Sequence, residues 1–234
     1  DHNHGKVLAA SVDLDTVAAA AKRDDGIIVE KSFKFDALEV DISDLEVHTE
    51  EFGKSSGLIR GMCAGFKERG YNIGGFNAAS MSRVLSGSGL SSSAAYEVLI
   101  GTILNHLYND GKVSSVEVAK IAQYAENKYF GKPCGLMDQT ACAVGGFITI
   151  DFADPTSPVI EKMDFDLTAA GYSLCIVNTG GNHADLNEDY ASVPAEMKAV
   201  ARALGVSVLR ETTEEAVLAN IVRLRKEVGA RSPT

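Results

Sequence analysis

The stretch that most limits how this chain folds is LSGSGLSSSA, residues 85–94, where glycines and serines run straight into an apolar segment of helical period. The preceding residues, GGFNAASMSRVL, read as a strand. After the run, Ala94, Ala95, Val98, Leu99, Ile103, Leu104 and Leu107 recur at helical spacing. A Gly/Ser run can be a flexible linker or a plain helix N-cap. A linker between domains, however, does not ordinarily flow into a helix start. The other reading is an anion cradle. Glycines let the backbone approach closely and turn its N–H groups inward. The serines lie over the first helical turn, where unpaired amides and the positive dipole end favour phosphate oxygens. A hydroxyl there can also ligate Mg²⁺. No Gly-Lys-Ser/Thr follows, so this is not a Walker A loop, and the spacing does not give the dinucleotide fingerprint.

The remaining pattern is mixed. Residues 6–42 read as antiparallel strands joined by a hairpin at the Asp-Asp-Gly of residues 24–26. Leu58, Ile59, Met62 and Phe66 mark a helix that Gly70 ends. Val118, Ile121, Ala122, Ala125 and Tyr129 mark another, and a short one runs from about Gly135 to Gly145. FITIDF and YSLCIVNTG read as strands, and residues 188–204 and 213–228 as helices. The expected class is α+β, with a boundary near residue 165 separating residues 1–165 from 166–234.

Composition narrows the partners. A net charge of −10 speaks against a nucleic-acid or anionic-membrane surface, both of which need clustered Lys and Arg. A phosphorylated ligand stays compatible, because backbone dipoles and a metal override the global field locally. Cys63, Cys134, Cys142 and Cys175 form no CxxC pair and have no zinc spacing to a His, so they read as reduced thiols. With neither a membrane span nor a signal peptide in view, cytoplasmic residence is the expectation. His4 and His106 read as turn or surface residues without a metal role. The opening DHNHGKVLAASVDLD, without an initiator Met, and the stop after a helical segment suggest a piece of a longer protein.

GSGLSSSA resembles the second motif of the GHMP kinases. DHNHGKVLAASV is similar to the end of the galactokinase signature, and KYFGKPCGLMDQTACAVGG to the galactokinase segment carrying the catalytic aspartate. The three stretches stand in family order. The resemblance implies a two-domain α+β GHMP kinase fold and ATP-dependent phosphorylation of α-D-galactose at its C1 hydroxyl. It also implies a monomer or weak homo-oligomer bound to galactose and ATP. Kinases for N-acetylgalactosamine or L-arabinose, or a non-catalytic galactose and ATP sensor, are the alternatives.

Phosphorylating a sugar hydroxyl needs a held nucleotide, a neutralised phosphate and a group that takes the hydroxyl proton. From the residues alone, Asp138 is either a solvated face residue or a carboxylate aimed into a cleft. The resemblance makes it the general base and a substrate contact. Glu126, otherwise a partly solvated helix carboxylate, corresponds to the Mg²⁺ glutamate, with Ser93 as the other protein ligand. Gly87, Ser88, Gly89, Leu90, Ser91, Ser92 and Ser93 become the nucleotide loop. Asp1 and Tyr190 correspond to sugar-binding positions, Asn3 and Gly5 shape the first turn, and Asn178, Gly180 and Gly181 line the strand end opposite the site. His2 stands where the family commonly has Tyr, and the segment at Asn182 and His183 lacks a basic residue many members carry. The family's arginine upstream of the first motif and its third, Gly-rich motif are not within these residues. The 234 residues alone are therefore expected to be inactive.

Overall fold

The computed structural model describes residues 1–84, 89–177 and 187–229, and gives no account of the side chains of residues 187–191. The described strands are β1 (Lys6–Ala10), β2 (Thr16–Lys22), β3 (Ile27–Ser32), β4 (Leu38–Asp41), β5 (Phe76–Ser82), β6 (Phe147–Asp151) and β7 (Val159–Met163). The helices are α1 (Ser55–Glu68), α2 (Ser92–Tyr108), α3 (Ser115–Lys128), α4 (Met137–Val144), α5 (Asn187–Ala203), α6 (Glu214–Ala219) and α7 (Ile221–Glu227). The class is α+β, as expected. Two compact units emerge, the larger holding residues 10–147 and 165–181, the smaller residues 1–9, 148–164 and 182–234.

The larger unit is built on a four-stranded sheet of order β2-β5-β3-β4. In β5, Phe76, Ala78 and Ser80 turn inward, and in β3 Ile28 and Glu30 do, the period of a half-buried sheet. Helices α1 and α2 pack on that sheet, and α3 packs on both of them. Ile28, Val40, Ile59, Met62, Phe66, Phe76, Ile100, Leu104 and Ile121 make one continuous core. Glu30 enters it as a carboxylate, satisfied by the hydroxyls of Ser80 and Tyr96. Helices α1 and α3 approach closely because α1 presents glycine to its partner. A Cβ on Gly61 would lie 2.8 Å from the Ala125 Cβ, and one on Gly65 2.7 Å from Ile121. This contact holds α3, and with it Glu126, against the sheet-bound α1.

The smaller unit has a three-stranded sheet of order β1-β6-β7 and the helices α5, α6 and α7. Arg210 ties its parts together through Asp151 and the carbonyl of His4. Asn3 Oδ1 accepts from the Leu209 amide at 3.3 Å.

Three elements differ from the sequence expectation. The turn at residues 24–26 does not close a hairpin, because β5 lies between β2 and β3, antiparallel to the first and parallel to the second. Gly75 makes this insertion possible: a Cβ there would sit 2.6 Å from the Ile27 carbonyl oxygen, while its own carbonyl accepts from Arg23 N at 2.8 Å. Residues 172–177 belong to no strand among the described residues, and Tyr172, Leu174 and Val177 are exposed. Their apolar run has strand propensity, but among the described residues nothing pairs with it. The last expected helix breaks in two at Asn220, which leaves helical geometry and donates to the Ala216 carbonyl at 2.8 Å.

Candidate active site

The start of α2 is unusual in its capping. Gly89 and Ser91 both take positive φ, at 76° and 58°, so the chain swings left-handed just before the helix. For a residue other than glycine this costs roughly 1–2 kcal/mol. Ser91 stands at the N-cap, yet its hydroxyl caps nothing; it donates to Asp138 Oδ2 at 2.6 Å. Helix α3 shows the ordinary arrangement, with Ser114 Oγ accepting from Glu117 N at 3.2 Å and an acid in the first turn. Among the described residues, no side-chain cap and no first-turn acid occupy the leading amides of α2. Such an end favours an anion.

Asp138 is brought to that end by the loop between α3 and α4. Cys134 N donates to Asn127 Oδ1 at 2.7 Å, and the Cys134 carbonyl accepts from Gln123 and Asn127, which pins the loop to the last turns of α3. Buried Leu136 then leads into α4, where Thr140 Oγ1 donates back to the Leu136 carbonyl at 2.8 Å. Asp138 therefore falls in the first turn of α4, half-buried, with its carboxylate at the favourable end of that helix.

A second contact runs parallel to the first. Ser93 Oγ donates to Glu126 Oε1 at 2.8 Å, and Lys132 Nζ donates to the same oxygen at 3.2 Å. The other oxygen, Oε2, accepts from Gln139 Nε2 at 2.7 Å. Only 2% of Glu126 is exposed, so the three donors replace its water. Ser93 and Glu126 offer hard oxygens of the kind that would suit Mg²⁺. No group of three or more His, Cys, Asp and Glu is poised for a metal among the described residues.

The surroundings are dry and negative. Burial and the Glu126 charge push the Glu97 carboxyl well above the usual carboxylate range. Cys134 is raised by burial and by Glu126, and Cys142 by burial and by Asp138, the latter to about 11. Burial works against the Lys132 ammonium, but Glu126 outweighs it and holds the group above its ordinary value.

The structure thus brings together Ser91 with Asp138 and Ser93 with Glu126. Ser92 opens α2 half-buried, and Leu90 and Gly89 precede it, half-buried and exposed. Gly87 and Ser88 lie outside the described residues, as do Asn178, Gly180, Gly181, Asn182, His183 and the side chain of Tyr190. Asp1 belongs to the smaller unit, where its carbonyl accepts from the His4 amide at 2.9 Å. Sequence reasoning missed Lys132, Gln139 and Glu97. The last had a signal: an acid set among apolar residues on α2, one turn beyond Ser93.

Residues 57–146, from α1 through the end of α4, match the GHMP kinases N terminal domain. The chain is 34% identical over 236 aligned positions to a galactokinase of Streptomyces coelicolor, covering 99% of this chain and 59% of that protein. It is 31% identical to one of Clostridium beijerinckii, covering 92% of this chain and 56% of that one. The chain therefore spans less than two thirds of the length of these relatives. A crystal structure of Lactococcus lactis galactokinase complexed with galactose superposes with a TM-score of 0.74 at 26% identity, over 96% of this chain and 58% of that one. The family match, the fold and the relatives agree on a GHMP kinases N terminal domain over residues 57–146.

Proposed function

We propose that the protein is a galactokinase, moving the γ-phosphoryl group of ATP to the C1 hydroxyl of α-D-galactose to give galactose 1-phosphate and ADP. The observation that carries this reading is the joining of the uncapped α2 end to a carboxylate on α4, through Ser91 Oγ and Asp138 Oδ2 at 2.6 Å. Phosphoryl transfer asks for an anion site beside a proton acceptor, and these two residues supply both ends. The galactokinase relatives support the choice of sugar.

In this mechanism the loop from Gly87 to Ser93 receives the ATP phosphates on backbone amides, and the α2 dipole offsets their charge. Asp138 takes the proton of the sugar C1 hydroxyl as its oxygen attacks the γ-phosphorus. The bond from that phosphorus to the β-γ bridging oxygen breaks, and ADP leaves with the bond's electrons. Ser93 and Glu126 would hold Mg²⁺, which neutralises charge on the phosphate oxygens. Asp1 and Tyr190 are sugar contacts by motif similarity. In the same reading residues 1–165 form the nucleotide and sugar domain, and residues 166–234 begin the second domain. No helix among the described residues is long and apolar enough to cross a membrane.

Asp138→Asn is the direct test. It keeps size and shape while removing the proton acceptor, so turnover should fall by about 10²–10⁴-fold with ATP binding retained. Unchanged turnover would refute the assignment. Faster turnover on another sugar in a coupled assay would keep the kinase and change its substrate.

A further inference from the structure

Glu97 is fully buried on α2. Its Oε2 accepts from Gln139 Nε2 at 3.3 Å, and the same nitrogen donates its other hydrogen to Glu126 Oε2 at 2.7 Å. Glu97 Oε1 and Gln139 Oε1 are sealed from water, and neither has a hydrogen-bond partner among the described residues. An ionised carboxylate only accepts, and so does a carboxamide oxygen. With Glu97 ionised, two buried acceptors on adjoining side chains both go unsatisfied, and each carries its full desolvation penalty. One proton on Glu97 Oε1 removes both faults at once, turning one orphan into a donor for the other.

We propose that Glu97 is a neutral acid locked in a two-way pair with Gln139, Nε2–H to Oε2 and Oε1–H to Oε1, and that this pair positions Glu126. The local charges agree. Glu126 and Asp138 both disfavour a further negative charge on Glu97. Lys132 acts the other way, but it is half exposed and bonded to Glu126. The nearby thiols of Cys134 and Cys142 are raised and uncharged at neutral pH.

The pair has a consequence for Glu126. A carboxamide has two orientations, and the flipped one would set Gln139 Oε1 against the Glu126 carboxylate, acceptor against acceptor. The Glu126 carboxylate selects the orientation with Nε2 toward it, and the Glu97 acid, able to carry its proton on either oxygen, pairs with the amide and holds it there. That grips Glu126 Oε2 and leaves Oε1 facing the Ser93 hydroxyl. Glu97 touches no reacting group and acts through Gln139, as a positioning residue. This role rests on the reading of Glu126 as the metal carboxylate.

The test combines two measurements on the protein at neutral pH. Infrared difference spectroscopy of wild type against Glu97→Gln should show the carbonyl band of a protonated, buried carboxylic acid, lost in the variant; absence of that band overturns the pair. Calorimetry then follows Mg²⁺-dependent binding of a non-hydrolysable ATP analogue. Glu97→Leu and Gln139→Leu should each weaken it by about 10–100-fold. Glu97→Gln, whose amide reproduces the two-way pattern, should rescue binding to within a few-fold of wild type. Leucine variants that bind as wild type overturn the positioning role, and so does a glutamine variant as weak as the leucine ones. A wild type that binds the analogue without regard to Mg²⁺ overturns the metal reading and the positioning built on it, while the infrared band still judges the pair by itself.

Discussion

Ser91 combines two features that separate cleanly by substitution. It holds Asp138 through its hydroxyl, and it occupies left-handed backbone at φ 58°, ψ 50°. Alanine removes the hydroxyl and keeps the strain, whereas glycine removes both. A hydrogen bond to a charged partner contributes about 1.5–3 kcal/mol, and this half-buried one belongs at the low end, about 1.5 kcal/mol. Relief of the left-handed backbone is worth about 1–2 kcal/mol, less about 0.5 kcal/mol for the freer unfolded chain that glycine brings. Ser91→Gly should therefore be more stable than Ser91→Ala by about 1 kcal/mol, or about 2–4 °C in melting temperature for a chain of this size. Turnover should not follow stability. Both variants free the Asp138 carboxylate alike, so both should lose about tenfold in kcat/KM, the equivalent of about 1.5 kcal/mol. Steady-state kinetics by ADP release and thermal melts of the three proteins give the comparison. If turnover tracks stability, or if both variants keep wild-type turnover, Ser91 does not position Asp138 and the reasoning fails.

Two further outcomes follow from ion pairs. Lys132 Nζ and a bound cation would compete for Glu126 Oε1, so Lys132→Met should lower the Mg²⁺ concentration for half-maximal rate by about 2–5-fold, matching the modest worth of a half-exposed pair; a Mg²⁺ requirement that rises instead contradicts this. Arg60 binds Glu51 through Nε at 2.8 Å and also donates to the carbonyls of Asp41 and Asp44, and its hydrogen bonding holds the Glu51 carboxyl below the ordinary 4.5. A depressed carboxylate stabilises the fold above its unfolded value and loses that contribution as pH falls through its folded value. Arg60→Met should thus destabilise by about 2 kcal/mol at neutral pH, below the 3–5 kcal/mol of a fully buried pair, and denaturant melts should show the gap closing below pH 4.5. A gap independent of pH would assign the loss to packing alone.

Much of this was legible in the residues. The strand before residue 85 and the helix after residue 91 announced themselves by period, and Asp138, Glu126 and Ser93 were named from motif similarity. What the residues could not convey was pairing across distance. The insertion of β5 beside β3 depends on the close backbone approach at Gly75, which no local pattern reports. The same holds for Ser91: its serine looked like an N-cap, and only the fold reveals that its hydroxyl turns to a carboxylate 47 positions away. Glu97 was hidden by its neighbours, since an acid in an apolar helix face reads as an exception until its two-sided amide partner is visible. Residues 172–177 err in the other direction, with strand-like chemistry and no strand beside them among the described residues.

The central claim is that one helix end grips the tail of ATP while the carboxylate of Asp138 faces the acceptor alcohol. Its most direct test is a crystal structure of the protein with galactose, Mg²⁺ and a non-hydrolysable ATP analogue. The terminal phosphate should rest on the leading amides of α2, with Asp138 about 2.6–3.2 Å from the sugar C1 oxygen. A complex in which another acidic group holds that oxygen, or in which Asp138 turns to solvent, would contradict the account.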